Sequence, residues 1–447
     1  MALIGYASHF SIFQILLLLS STAAGKDPFI KLTLLHKNPY PLTPSEALST
    51  DKRRLSTHFS RPKLPVNSAA SFGSGQYLVS LHIGTPPQRL LLVADTGSDL
   101  TWVSCSACRG QHCSSKRATF FYPRHSTTFS PYHCYDPACT LVPHPRKPVP
   151  CNHTRLHSTC RYEYSYSDGS ITSGFFSHET TTFNTSSGKL VKFRRLSFGC
   201  GFSKSGPSIS GPSFSGADGV LGLGRGPISF TSELGRTFGL KFSYCLLDYT
   251  RSPTPTSYLL IGGPRNGSQP TAKLKYTPLL TNPLSSTFYY IRIQNVRINN
   301  VNLRISPSVW AIDESGNGGT IVDSGTTLTY LAKPAYQIII AAFKRLVKLP
   351  MAAVPTLGFD LCLNVSGGLR PSLPRLSFKL GGGSIFSPSP SNYFIDTADG
   401  IKCLALQPVS SPTGSSVIGN LMQQGFTFEF DNDRSRLGFS RHGCSVP

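Results

Sequence analysis

Two stretches of the chain decide the fold: LVADTGSDLTW at 92–102 and TIVDSGTTLTY at 320–330. Each is an apolar run that ends in an aspartate and continues with Ser or Thr, Gly, a second hydroxyl residue and a Leu-Thr-aromatic sequence. A looser pair follows, Val-Leu-Gly at 220–222 and Val-Ile-Gly at 417–419. The sequence therefore predicts a duplicated domain, with Asp95 and Asp323 at equivalent positions in the two copies.

The rest of the pattern is mostly that of β-strands. From Tyr77 onward, short runs of Val, Leu, Ile, Thr and Phe are separated by Gly, Pro, Ser and Asn, which is typical of β-structure. One segment, from Lys333 to Leu349, has apolar residues at helical spacing and is predicted to be an amphipathic surface helix. With 447 residues, the chain is long enough for about two domains.

The repeated turn is suited to acid–base chemistry. A carboxylate at the end of an apolar strand is costly unless it is hydrogen-bonded. Backbone amides can approach the carboxylate at Gly97 and Gly325, and nearby hydroxyls can donate to it or brace the partner loop. Those hydroxyls belong to Thr96, Ser98, Ser324 and Thr326. One copy alone would be ordinary turn chemistry, so the inference depends on the match between the two.

Two such aspartates brought face to face cannot both be charged, so the pair holds one proton over an acidic range. The ionised member can take a proton from a bound water while the neutral member donates to a peptide carbonyl. Either aspartate can hold the proton, because the pair titrates as a unit. Asp95 and Asp323 are therefore the predicted catalytic residues, and the chemistry requires no cofactor and no metal.

From Tyr77 to the end, the chain resembles the pepsin-like aspartic proteases, and within them the plant nepenthesin-like branch. The opening strand Tyr-Leu-Val at 77–79 and the turn IGTPPQ at 83–88 also match that family. The resemblance implies an all-β, bilobal pepsin-like fold, in which two pseudo-twofold related β-barrel lobes enclose a cleft.

The resemblance also implies a flap over the substrate, at YSDGS in 166–170. Tyr166 would be the flap tyrosine, Gly169 would lie in its turn, and Trp102 would hold the tyrosine hydroxyl. The alternative is that Tyr166 is only one of several hairpin tyrosines, since Tyr162 and Tyr164 precede it.

Twelve cysteines favour disulfide bonds in an oxidising compartment. The nepenthesin-like branch has an extra cysteine-rich insertion in its first lobe, here 105–160. By resemblance, the pairs are Cys105–Cys108, Cys113–Cys200, Cys134–Cys160, Cys139–Cys151, Cys245–Cys444 and Cys362–Cys403. Spacing alone could not have chosen this connectivity. A zinc site at Cys105, Cys108, His112 and Cys113 is the disfavoured alternative.

The ends of the chain suggest targeting and latency. The apolar run Ile12–Leu19, followed by Thr-Ala-Ala at 22–24, predicts a signal peptide at 1–24, because the run is too short to span a bilayer. Residues 25–72 are basic and lack cysteine, which predicts a removable prosegment, or alternatively an ordered amino-terminal extension. The first lobe is predicted at 73–268 and the second at 269–447.

Composition narrows the partners and the location. The net charge of +22 suggests an acidic cell-wall polysaccharide as a partner, or simply a soluble, well-repelled surface. No nucleic-acid module or membrane span is recognisable, and a monomer is expected. We expect secretion to the extracellular space or cell wall, or delivery to the vacuole. Predicted N-glycosylation sites are Asn152, Asn184, Asn266 and Asn364.

Together these features predict a secreted endopeptidase that hydrolyses peptide bonds at acidic pH. The main alternative is a catalytically inactive wall protein similar to the plant xylanase inhibitors on the same fold, and a two-carboxylate glycosidase is a more distant one. The glycine-rich stretch GVLGLGRG at 219–226 superficially resembles a phosphate-binding loop. Without a βαβ context or a P-loop lysine, it is interpreted as a turn.

Overall fold

A computed structural model describes the chain over residues 30–36, 75–106, 120–145, 151–152, 154, 158–166, 168–184, 190–210, 214, 217–248, 257–262, 274–352, 358–367 and 372–441. The predicted signal peptide lies outside these residues. The first half contains the strands β1 (Ile30–His36), β2 (Tyr77–Ile83), β3 (Gln88–Asp95), β4 (Trp102–Ser104), β5 (Ser130–Pro131), β6 (Arg161–Ser165), β7 (Ile171–Asn184), β8 (Leu190–Ser205), β9 (Gly219–Gly222), β10 (Lys241–Cys245) and β11 (Ser257–Ile261).

The second half contains the strands β12 (Lys275–Leu280), β13 (Tyr290–Ile291), β14 (Ile293–Ile298), β15 (Val301–Asn302), β16 (Thr320–Val322), β17 (Thr329–Leu331), β18 (Cys362–Asn364), β19 (Leu376–Leu380), β20 (Ile385–Phe386), β21 (Phe394–Ala398), β22 (Ile401–Leu404), β23 (Leu406–Pro408), β24 (Ser416–Ile418), β25 (Thr427–Asp431) and β26 (Arg436–Ser440).

The helices are α1 (Pro207–Ser210), α2 (Phe230–Phe238), α3 (Lys333–Leu346) and α4 (Asn420–Gln423), with short 3-10 turns at Pro123–His125, Pro137–Leu141, Pro307–Trp310, Gly381–Gly383 and Pro390–Asn392. Helix α3 is the predicted amphipathic helix. It ends at Leu346 rather than Leu349, because Val347 already has an extended backbone. No helix within the described part of the chain has the length and apolar character needed to cross a membrane.

The two halves repeat one topology, as the duplicated motif predicted. In the first half, β3 pairs in parallel with β9, while β4 pairs in parallel with β8 and antiparallel with β9. In the second half, β16 pairs in parallel with β24, while β17 pairs in parallel with β23 and antiparallel with β24. The aspartate-bearing strand therefore has an equivalent parallel neighbour in each copy, β9 or β24, and the strand that follows the aspartate turn pairs with that neighbour as well. The all-β, two-lobed prediction is confirmed.

A shared antiparallel sheet joins the halves. Strand β10 pairs with β25, and β25 pairs with β26, which in turn pairs with β12. Phe242 and Phe430 lie opposite each other in this sheet, with ring centroids 4.5 Å apart and almost parallel rings. Burial of such aromatic pairs gives the lobes a common apolar core.

Strand β1 lies within the segment predicted to be a removable prosegment. It pairs with β11 from Ile30 to Leu34 and with β2 from Leu34 to His36, so it closes the gap between those two strands. Leu32 and Leu34 are buried in the main core. Residues 30–36 thus form a strand of the sheet, and the removal of this segment as a prosegment stays a prediction.

Candidate active site

The fold brings the two aspartates face to face. Asp95 is the last residue of β3, and Asp323 follows β16 directly. Both are buried. A Cβ atom placed on Gly97 would lie 3.0 Å from both carboxylate oxygens of Asp323. The turn after Asp95 therefore approaches the Asp323 carboxylate so closely that glycine is the residue that fits there.

Each carboxylate accepts the same two hydrogen bonds from its own turn. Asp95 Oδ1 accepts from the Gly97 N–H at 3.0 Å, and its Oδ2 accepts from the Ser98 hydroxyl at 2.7 Å. Asp323 Oδ1 accepts from the Gly325 N–H at 2.8 Å, and its Oδ2 accepts from the Thr326 hydroxyl at 2.5 Å. These bonds fix the orientation of the two carboxylates and offset the cost of burying them.

The remaining two hydroxyls hold the turns to each other. The Thr96 hydroxyl donates to the Val322 carbonyl at 3.2 Å and accepts from the Ser324 N–H at 2.9 Å. The Ser324 hydroxyl donates to the Ala94 carbonyl at 2.9 Å and accepts from the Thr96 N–H at 3.2 Å. Four reciprocal bonds thus join the halves directly beneath the carboxylates.

The looser Val-Leu-Gly and Val-Ile-Gly pair also belongs to the site. A Cβ on Gly222 would lie 2.2 Å from the Asp99 carbonyl oxygen, and a Cβ on Gly419 would lie 2.1 Å from the Leu328 carbonyl oxygen. The two glycines allow β9 and β24 to pack closely against the backbone that follows each aspartate turn. That close approach explains why the repeat contains glycine at this point.

Sequence reasoning missed two amides behind Asp323. Gln423 donates to the Asp323 carbonyl at 3.1 Å, and its Oε1 accepts from the Tyr244 hydroxyl. Asn420 donates to the Ser324 carbonyl at 3.0 Å. Their only sequence signal is that both closely follow Gly419, the end of the looser repeat. They brace the backbone that carries the second carboxylate.

The predicted flap residues lie next to the first aspartate turn. The Trp102 indole N–H donates to the Tyr166 hydroxyl at 2.6 Å. Gly169 has a φ of 80° and donates its N–H to the Tyr166 carbonyl at 3.0 Å, which closes a tight turn. Phe214 stacks on Trp102 with centroids 5.7 Å apart. The structure therefore places Tyr166 and Gly169 in one tight turn, which a hydrogen bond from Trp102 connects to β4.

The neighbouring tyrosines have different surroundings. Tyr162 is fully buried and shares a hydrogen bond with the Thr172 hydroxyl at 3.1 Å, and burial raises its pKa. The Tyr164 hydroxyl lies 3.5 Å from the Asp99 amide. Of the three, Tyr166 is the one that the Trp102 indole holds.

The structure corrects four of the six disulfides. It joins Cys105 to Cys200, rather than Cys105 to Cys108 and Cys113 to Cys200. Parallel pairing of β4 with β8 sets Val103 opposite Cys200, so Cys105 lies just beyond it, with a Cα–Cα distance of 5.4 Å. Cys108 and Cys113 lie outside the described residues.

In the insertion, the structure joins Cys134 to Cys151 and Cys139 to Cys160, whereas the predicted pairs were Cys134–Cys160 and Cys139–Cys151. Burial accounts for the exchange, because Cys139 and Cys160 are buried together while Cys134 and Cys151 are both partly exposed. The predicted Cys362–Cys403 bond is present between β18 and β22. Cys245 is also disulfide-bonded, and its predicted partner Cys444 lies outside the described residues.

The described residues include three of the four predicted glycosylation sites and one group of potential metal ligands that was not predicted from the sequence. His133 lies beside Cys134 and Cys151, but the two sulfurs are bonded to each other and cannot serve as thiolate ligands of zinc. Of the sequon asparagines, Asn152 and Asn364 are exposed, Asn184 ends β7, and Asn266 lies outside the described residues. The zinc candidate His112 is likewise outside them, and glycosylation stays a prediction.

Comparison with known proteins agrees with this geometry. Family models described as xylanase inhibitor N-terminal and xylanase inhibitor C-terminal match residues 77–263 and 288–441. Aspartyl protease family protein 2 of Arabidopsis thaliana is 36% identical over 395 residues, which cover 87% of this chain and 76% of that protein. Aspartic proteinase nepenthesin-1 of Nepenthes gracilis is 36% identical over 383 residues, covering 85% of this chain and 81% of that protein.

Solved structures show the same fold. The crystal structure of edgp has a TM-score of 0.68 at 23% identity and covers 92% of this chain and 94% of its own. Basic 7S globulin from soybean has a TM-score of 0.64 at 20% identity, covering 92% of this chain and 96% of its own. From these matches and the paired aspartate turns we conclude that the chain belongs to the pepsin-like aspartic proteases, in their plant nepenthesin-like branch.

Proposed function

We propose that this protein is a secreted aspartic endopeptidase that hydrolyses peptide bonds at acidic pH. The observation that carries the proposal is the matched hydrogen bonding of two buried, facing carboxylates. Each of Asp95 and Asp323 accepts one backbone N–H and one hydroxyl from its own turn, and Gly97 leaves the space between them clear.

The mechanism follows from the shared proton. The ionised aspartate takes a proton from a water between the carboxylates, and the resulting hydroxide attacks the carbonyl carbon of the peptide bond. The neutral aspartate donates its proton to the carbonyl oxygen, which gives a neutral tetrahedral intermediate. The aspartate that took the proton from water passes it to the amide nitrogen, and the C–N bond breaks. A hydroxyl of the intermediate gives its proton to the other aspartate in the same step, so that the pair again shares one proton. The products are a carboxylic acid and an amine.

The flap supplies the second element of the proposal. Tyr166, held by Trp102, lies at the tip of the β6–β7 hairpin, on the side of the first aspartate turn. A polypeptide between this hairpin and the carboxylates would lie extended in the cleft, and so an internal peptide bond is the proposed point of cleavage. The disulfides within the first half fit passage through an oxidising compartment.

The alternative is a non-catalytic protein that uses the same fold to bind an enzyme. The names of the two family models favour it, because both refer to xylanase inhibitors. Against it stands the complete donor set of both carboxylates, which a protein that only binds has no chemical reason to keep.

One experiment separates these functions. The purified protein, both with and without its predicted prosegment, is incubated with an unfolded protein substrate from about pH 3 to 6, the range expected for a carboxylate pair that shares a proton. Cleavage that a statine-type inhibitor blocks supports the peptidase. If there is no cleavage across this range and a microbial xylanase is inhibited instead, the alternative is correct.

The proposal includes a location for the protein, the plant cell wall. The net charge of +22 supports attachment to an acidic cell-wall polysaccharide. A monomer stays a prediction. Electrostatic attachment weakens as ionic strength rises, so salt should release the protein from a wall fraction. Release that is equally complete in salt-free buffer would contradict wall attachment.

A further inference from the structure

Asp99 is a third carboxylate in the first aspartate turn, and the second copy of the motif has Thr327 at this position. The two halves of the site differ at this position, so the duplication does not explain why the first half has an aspartate there. Asp99 Oδ1 accepts from the Gly226 N–H at 2.8 Å, and Oδ2 accepts from the Thr287 hydroxyl at 2.6 Å. The carboxylate thus contacts both the glycine-rich stretch of the first half and a residue that leads into β13 of the second.

The glycine-rich stretch is shaped around this carboxylate. A Cβ on Gly224 would lie 2.3 Å from Asp99 Oδ1, and a Cβ on Gly226 would lie 2.2 Å from Oδ2. Both distances are much shorter than van der Waals contact, so any side chain at these two positions would clash with the Asp99 carboxylate, which hydrogen bonds hold in place. The glycines that superficially resembled a phosphate loop therefore form a cradle for an acidic side chain of the protein itself.

On one side, the cradle connects to the first catalytic aspartate. The Leu223 N–H donates to the Asp95 carbonyl at 2.9 Å, and the Gly224 N–H donates to the Ser98 carbonyl at 2.8 Å. Residues 222–226 are therefore bonded to the backbone of the turn that orients the Asp95 carboxylate.

On the other side, the cradle connects to the strand that precedes Asp323. The Arg225 N–H donates to the Thr287 carbonyl at 2.9 Å, and the Tyr289 hydroxyl donates to the Leu223 carbonyl at 2.8 Å. The Val322 N–H donates in turn to the Tyr289 carbonyl at 3.1 Å. Residues 287–289 therefore lie one hydrogen bond from the residue next to the second carboxylate.

We propose that Asp99 is a positioning residue that fixes the separation of the two catalytic carboxylates by tying residues 222–226 to residues 287–289. Its catalytic consequence rests on the proposed peptidase function, whereas the tie itself does not. Burial raises the pKa of Asp99, the hydrogen bonds from Thr287 and Gly226 lower it, and the charge of Asp95 raises it. On balance the pKa of Asp99 is raised, and the tie rests on the two donors, each within hydrogen-bond distance of a different carboxyl oxygen.

The test uses substitutions that separate the tie from the charge. Asp99→Ala removes both acceptors, and Thr287→Val removes one donor. Asp99→Asn keeps an acceptor for Gly226 and places an N–H opposite the Thr287 hydroxyl, which can accept, so it preserves the tie without the charge. Asp396→Ala is the matched control, because that aspartate is exposed on β21 and pairs only with a surface lysine among the contacts described for it.

If Asp99 positions the carboxylates, Asp99→Ala lowers kcat by about tenfold or more while KM changes by less than about twofold, since misplaced reacting groups lose transition-state stabilisation. Thr287→Val causes a smaller loss. The double variant is no worse than Asp99→Ala, because both substitutions break one tie. Asp99→Asn retains kcat within about threefold, since the hydrogen bonds remain. The control retains wild-type kcat.

Hydrogen exchange gives a readout that does not depend on activity. In Asp99→Ala, the amides of residues 222–226 and 287–289 should exchange faster, while those of the β10–β25 sheet stay unchanged. Wild-type kcat and exchange in folded Asp99→Ala would overturn the inference. So would equal losses of kcat in Asp99→Asn and Asp99→Ala, which would implicate the charge. If the wild type cleaves no peptide, the proposed function fails, and exchange in Asp99→Ala still decides whether the tie exists.

Discussion

Glu233 predicts how the stability of the protein depends on pH. It lies in the first turns of α2, whose amino end is capped by the Ser229 hydroxyl, and its carboxylate accepts from the Ser197 N–H at 2.7 Å. Burial raises the pKa of Glu233 to about 7 from an ordinary value of 4.5, while the Ser197 hydrogen bonds and the Arg236 charge oppose the change. We expect Glu233→Gln to flatten the pH dependence of the free energy of unfolding.

The magnitude follows from linkage. A group whose pKa is higher in the folded state contributes most to stability when it is protonated, below pH 4.5, and this contribution is lost as pH rises toward 7. The full loss corresponds to about 3 kcal/mol. Glutamine has the shape of the protonated carboxyl and does not titrate. The variant should therefore match the wild type near pH 4 and exceed its stability by about 3 kcal/mol near pH 8.

The assay is urea unfolding with the disulfides intact, followed by the fluorescence of Trp102 and Trp310, both of which are buried. Glu314→Gln, which makes the same change at an exposed glutamate, is the control and should show no pH-dependent difference from the wild type. An identical stability difference between Glu233→Gln and wild type at both pH values would refute the reasoning. Greater stability of the wild type at pH 8 would refute it as well.

Two further substitutions probe the site. Gly97→Ala would place a methyl group 3.0 Å from both Asp323 oxygens, so we expect peptide cleavage to fall at least about a hundredfold in a folded protein. Cleavage within a fewfold of wild type would show that the space is not needed. Trp102→Phe keeps the apolar contact but loses the 2.6 Å hydrogen bond to Tyr166, which should lower kcat/KM by about fivefold for a bond worth about 1 kcal/mol. An unchanged kcat/KM would mean that this bond does not position the flap.

The sequence was sufficient for the architecture because the information is local and repeated. Each aspartate turn carries its own donors within three residues, so the pattern around Asp95 could be recognised again around Asp323. The hydrogen-bond partner of each hydroxyl was not predictable from the sequence, since Ser98 donates to its own aspartate whereas Thr96 donates to the opposite turn. That distinction depends on how the halves meet.

Features that depend on contacts between distant segments escaped sequence reasoning. Cys105 joins Cys200 because β4 and β8 are neighbouring strands, and no spacing of cysteines encodes that adjacency. Gln423 supports Asp323 from a helix one hundred residues later. The strand at Ile30–His36 was hidden in a basic, cysteine-free segment, and its place became evident only through its partners β2 and β11.

The central claim is that Asp95 and Asp323 form one catalytic unit. The most direct test measures cleavage of an unfolded protein substrate near pH 4 by the wild type, Asp95→Asn, Asp323→Asn and the double variant, each shown to be folded. We predict that either single substitution abolishes cleavage as fully as the double substitution, because one carboxylate cannot be both acid and base. Substantial cleavage by either single variant would contradict the account.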